Sequence, residues 1–85
     1  MAITGSQFPV SDGTKRPFRL WDTKARRALR WRCYKHQARA SIGALIEAKE
    51  SKVGVTIEVF DARNGKLIGQ YTRRVNNVHF TEVSS

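Results

Sequence analysis

Phe18-Arg19-Leu20-Trp21-Asp22-Thr23-Lys24 aligns without a gap with Ile57-Glu58-Val59-Phe60-Asp61-Ala62-Arg63, and each copy reads apolar, charged, apolar, aromatic, Asp, small, basic. This alternation has the period of a half-buried strand. The closing Asp, a residue whose carboxylate bonds backbone groups of a following turn, marks where each strand stops. In the second copy Asn64-Gly65 leads on to Leu67-Ile68-Gly69-Gln70-Tyr71, a strong hairpin signal. A two-residue Asn64-Gly65 turn would set Val59 opposite Gln70 and Ile57 opposite Thr72, placing polar residues on an apolar face. A three-residue loop with a left-handed Gly65 at a G1 bulge sets Val59 opposite Gly69 and Ile57 opposite Tyr71. The second register is expected, with Val55, Ile57, Val59, Leu67 and Tyr71 inside and Thr56, Glu58, Phe60, Ile68, Gln70, Thr72 and Arg74 outside.

By the repeat, the first copy also opens a hairpin, returning through Lys24-Ala25-Arg26-Arg27 into a strand from Ala28 to Tyr34. Arg26 stands where the second copy has Gly65, so an identical turn is not expected. Leu29, Trp31 and Cys33 alternate with Arg30, Arg32 and Tyr34, which directs the first three inward and the second three outward. One long helix from Lys24 to Glu50 fails on phase, because its apolar stripes would fall on opposite sides. A shorter helix over residues 36–50 is consistent, with Ala38, Ile42, Leu45 and the stem of Lys49 toward the sheet and Arg39, Gly43, Glu47 and Glu50 away from it. Val78-His79-Phe80 reads as a short extra edge strand.

The expected architecture is a single small α+β domain over residues 17–85. Its order is β-β-α-β-β, a four-stranded antiparallel sheet with one helix packed on one face. Residues 1–16, which carry Gly5, Pro9 and Gly13 and show no period, read as a flexible N-terminal arm.

Charge narrows the function. Sixteen Lys and Arg face seven Asp and Glu, a formal net charge of +9. Ten of the sixteen fall between Lys15 and Arg39, interleaved with Phe18, Trp21, Trp31 and Tyr34, and only Asp22 opposes them. Cations mixed with flat rings suit a polyphosphate carrying stackable bases, so a nucleic acid, DNA or RNA, is the expected partner. The expected site has three parts. Arg19, Trp21, Arg30, Arg32, Tyr34, Phe60 and Arg74 occupy the open sheet face. Lys24, Arg26 and Arg27 form a basic loop, and Lys15 and Arg16 end the arm. Glu58 is the one acid on that face, expected to pair with Arg30 or Arg74. The alternative is a protein-interaction module whose basic surface binds and modulates a larger acidic protein or enzyme. The pseudo-twofold repeat also raises a homodimer with a shared sheet.

Other chemistries find no support in the sequence. Two His and one Cys offer no metal-ligand spacing, and no phosphate-binding glycine loop or nucleophile elbow is present. Neither an enzyme nor a cofactor is expected. Cys33 reads as a small inward-facing hydrophobe, and a lone Cys suits a reducing cytoplasm. No apolar run approaches the ~20 residues that cross a bilayer, so no membrane partner is expected.

Overall fold

A computed structural model describes residues 15–82, with the side chains of residues 30–32 excepted. The arm expected over residues 1–16 therefore lies largely outside the described residues, as do the side-chain placements expected for Arg30, Trp31 and Arg32. The chain forms β1 (Phe18–Asp22), β2 (Arg27–Tyr34), α1 (Gln37–Lys49), β3 (Thr56–Asp61), β4 (Lys66–Arg73) and β5 (Val78–Glu82). The α+β class holds, with one helix on one face of an antiparallel sheet. The sheet has five strands rather than four, in the order β2-β1-β3-β4-β5, because Val78–Glu82 pairs with β4.

The two repeats form the two hairpins, and β1 pairs with β3 to join them back to back, from Phe18↔Asp61 to Asp22↔Ile57. Both turns are built alike. Asp22 Oδ1 accepts from the N–H groups of Lys24 (2.9 Å) and Ala25 (3.1 Å), and Asp61 Oδ1 accepts from the N–H of Arg63 (2.9 Å). The Asp carbonyls then accept from Arg26 N–H (2.8 Å) and Gly65 N–H (2.6 Å). Gly65 has φ 70°, and Arg26, in the corresponding place, has φ 56°. The expectation that the first turn must differ is thus corrected, because Arg26 adopts the left-handed conformation that its repeat partner adopts without a Cβ.

The expected pairs Ile57↔Tyr71 and Val59↔Gly69 are present. The extra residue lies at Ile68 rather than at the turn, since Phe60 pairs with Leu67. A one-residue shift exchanges faces. Leu67 accordingly joins Phe60 on the helix-free side, and Ile68 packs against the helix-side core, the reverse of the expectation. A larger irregularity divides β2. Arg19 pairs with Cys33 but Trp21 pairs with Ala28, so two steps along β1 are matched by five along β2. This inverts the alternation at the end of β2: Cys33 shares the side of Arg19, and Tyr34 turns to the helix.

The helix bounds agree with the sequence reading within one residue at each end, but its rotation does not. Ala40, Gly43, Ala44 and Ala48 are its buried residues. Ile42 and Leu45 point outward, 59% and 42% exposed. The sheet beneath already supplies Leu20, Ile57, Val59, Tyr71 and the Tyr34 ring, so little room remains under α1 and the small-residue stripe fits it. Burial of Leu20, Ile57 and Val59 contributes about 1.5–3 kcal/mol each. No helix among the described residues is long and apolar enough to cross a membrane.

Gly43 shows how tight this contact is. A Cβ there would stand 2.6 Å from Tyr34 Cζ, well inside contact distance. Gly43→Ala is therefore expected to destabilise the fold by about 1 kcal/mol or more, overriding the gain of ~1 kcal/mol in helix propensity. In a Tyr34→Ala background the same substitution should stabilise. Urea unfolding of the four proteins checks both signs.

Candidate nucleic-acid interface

The strand ladder fixes what lies on the helix-free face. Crossing the sheet, Cys33, Arg19, Phe60 and Leu67 form one row. Ala28, Trp21, Glu58, Gln70 and Thr81 form the next. Arg19 and Trp21 are on the expected face and are half-buried. Phe60 is on that face but has no exposed surface, packed with Ala62, Leu67, Trp21 and Ala28. Trp21 meets its ring edge-on, with centroids 6.4 Å apart and planes at 81°. Repeat-equivalent aromatics thus pack on one another, which corrects the reading of Phe60 as a stacking platform. Tyr34 is corrected too, since it lies in the helix-side core.

The centre of this face is occupied by a carboxylate. Glu58 is 4% exposed, and Gln70 Nε2 donates to its Oε2 at 2.7 Å. Gln70 is the partner found among the described side chains, and the expected pairing with Arg30 lies outside them. A buried acid beside buried rings makes the middle of the sheet a poor place for phosphate.

The exposed cations lie around the sheet's margin. Lys24, Arg26 and Arg27 are exposed at the first turn, and Lys15 and Arg16 are exposed beyond the other end of β1. A five-residue strand separates the two groups by roughly 17 Å. What joins them is β2, an edge strand that runs from Arg27 through Arg30 and Arg32 to Tyr34 and hands over to Lys35. At its far end Arg16, Cys33, Tyr34, Lys35, His36 and Arg39 line an open cleft of about 540 Å³. Arg74, exposed after β4, is not brought to this group, because β3 and β1 lie between β4 and β2.

Sequence reasoning missed Lys35, His36 and Arg39, which border the cleft. Their signal was available, because no acid occurs between Asp22 and Glu47. The helix start carries the same imbalance: its first turn has no acid and His36 makes no side-chain cap. Cations at the positive end of a helix dipole repel it.

The acid–base pairing at the second turn is different in kind. Arg63 Nη2 and Nε donate to the two oxygens of Asp61 at 2.8 and 3.1 Å, with the guanidinium carbon 5.5 Å from the centre of the Phe18 ring. The Arg63 side-chain hydrogen bonds hold the Asp61 carboxyl below its ordinary range, against the opposing effect of burial, with the Arg63 N–H and charge adding to the shift. Arg63 is therefore engaged in structure. Among the described residues no group of three or more His, Cys, Asp or Glu is placed to hold a metal ion. No family model, no curated protein and no solved structure matches this chain.

Two measurements follow from the turns. Arg26→Gly is expected to stabilise the fold by about 0.5–1 kcal/mol, as it removes a left-handed Cβ, whereas Gly65→Ala should cost about 1 kcal/mol. Thermal denaturation of each variant decides. For Asp61, a depressed folded pKa gives stability that is present above the ordinary carboxylate value of about 3.9 and lost as pH falls through the lower folded value. Asp61→Asn should cost about 1 kcal/mol near neutrality and progressively less in acid, measured by urea melts along a pH series.

Proposed function

We propose that this domain binds nucleic acid through a basic margin running from Lys24, Arg26 and Arg27 along the β2 edge to Lys35 and Arg16. The observation that carries the reading is the acid-free run that becomes this edge strand and its flanks. From Thr23 to Lys35 there are six Lys and Arg and no Asp or Glu. The margin extends roughly 20 Å, comparable to the rise of about six nucleotides on one strand at 3.4 Å each. Arg predominates in it, which suits bidentate pairing with phosphate oxygens.

Two further features support a polyanion. Charge on an edge strand also discourages pairing with other sheets, but the opposite edge, β5, has Glu82 as its one full charge and carries no Lys or Arg at all. The β2 excess therefore exceeds what edge protection requires. In addition, Arg26 retains a conformation in which glycine costs less. Strain of this kind is a reason to look for a role in binding.

Among the described side chains of the helix-free face, Phe60 is buried and Trp21 packs edge-on against it, so contacts to the backbone dominate this reading over base stacking. A docking surface for an acidic protein uses the same cations, and it is an outcome of the test. Binding to short single- and double-stranded DNA and RNA is to be titrated against salt. The expected log–log slope corresponds to about four to six released counterions, without a strong preference for single strands. Arg26→Gly combined with Arg27→Ala should reduce that slope by about 1–2 and leave the fold intact. No binding at low salt to any of the four would contradict the reading and favour the protein partner.

A further inference from the structure

None of the large apolar residues that stand markedly exposed among the described ones lies between Lys24 and Lys35, and Arg39 borders both them and the basic cleft. Ile42, Leu45 and Ile46 are on the outer side of α1, Val53 follows it, Val75 is in the β4–β5 turn and Phe80 packs against Tyr71 with the ring planes tilted by 40°. Ile42 and Ile46 are 59% and 43% exposed and one helical turn apart, with Leu45 between them. An ordinary amphipathic helix places such residues on its sheet, but α1 turns its Ala and Gly stripe inward and leaves its apolar stripe in water. Next to that stripe, Leu45, Lys49, Arg73, Asn76, Asn77 and Val78 line a shallow groove of about 310 Å³. Exposed apolar side chains grouped on one helix face are a reason to look for a partner.

The helix's charges identify the occupant. Arg39 and Glu50 lie eleven residues apart, three helical turns, and so flank the stripe on the same side. Two copies of α1 packed antiparallel about a twofold axis present like flanks to each other. With the axis at the level of Ala44 and Leu45, Arg39 of one copy stands opposite Glu50 of the second, and the same pair forms again by symmetry. Leu45 then meets Leu45, and Ile42 meets Ile46 of the other copy. The exposed Ala38 leaves room for the stem of Lys49 of the second copy. A parallel arrangement would set unlike flanks together, leaving Arg39 with no acid of the second copy to face and bringing Lys49 against Lys49, and an acidic or basic partner would satisfy only one end of the flank. The stripe and its charges are self-complementary in the antiparallel sense alone.

We infer that this protein forms a twofold-symmetric homodimer through the outer face of α1, with the helices antiparallel. The two basic margins are then carried on one particle. The inference does not depend on nucleic-acid binding, and its test contains no nucleic acid.

Sedimentation equilibrium of the full chain should show a concentration-dependent monomer–dimer equilibrium. Leu45→Glu, at an exposed position, should leave the circular dichroism spectrum and melting cooperativity intact while shifting the mass to monomer. Arg39→Glu or Glu50→Arg alone places like charges together at two symmetric sites and should weaken the dimer roughly fivefold or more. The double variant should recover it. A monomer at every concentration overturns the inference, and so does a dimer that Leu45→Glu leaves unchanged. Failure of the double variant to recover the dimer overturns the antiparallel arrangement.

Discussion

The pairing of β1 with β3 is the contact on which the rest of the molecule depends. Each hairpin closes locally, but only this ladder brings together strands separated by the whole of β2 and α1. It sets Leu20 opposite Val59 at the centre of the sheet, and neither side chain retains contact with water. Loop-closure entropy opposes such a non-local pair, and the apolar row it buries offsets that cost. The aspartates at the strand ends, Asp22 and Asp61, then turn the chain back so that β2 and β4 extend the sheet on either side. The helix crosses from the β2 edge back to β3 over a surface already filled by large side chains. Its small residues are what let the backbone come close, and at Gly43 the hydroxyl end of Tyr34 fills the space a Cβ would need.

Much of this was legible in the sequence because the repeat and the turns carry local chemistry. Asp followed by a small residue and a left-handed position specifies a turn, which sets Asp61↔Lys66 and Phe60↔Leu67; the expected pairs Ile57↔Tyr71 and Val59↔Gly69 follow from the apolar pattern and are reached through the extra residue at Ile68. The helix could be bounded because residues 36–50 alternate with a helical period between two strand-like runs. The departures arise where geometry has no local signature. The irregularities in β2 and at Ile68 reverse the parity of Cys33, Tyr34, Leu67 and Ile68, and nothing in those residues announces an extra one. Hydropathy assigns Ile42 and Leu45 to the core, but volume decides the matter, and the sheet leaves room only for Ala and Gly.

The same reversal moves the candidate site. Composition identified the basic residues, and strand alternation distributed them over an open face; the fold instead fills the described part of that face with Trp21, Phe60, Glu58 and Gln70. The cations remain at its border, where β2 is the last strand, and the missed Lys35, His36 and Arg39 extend the border onto the helix start. A chain that concentrates apolar surface on the outer side of its helix and basic groups along β2 and its flanks carries two kinds of contact that meet at Arg39. Each can be disturbed without the other, since Leu45 and Arg27 share no element.

Amide chemical-shift mapping of the protein, titrated with a short nucleic-acid duplex at low salt, tests the central claim most directly. The account predicts that the largest shifts fall at Lys15 and Arg16 and from Lys24 to Lys35, fading as salt rises. Shifts centred on α1 between Ile42 and Lys49 or on β5, or none at all, would contradict it.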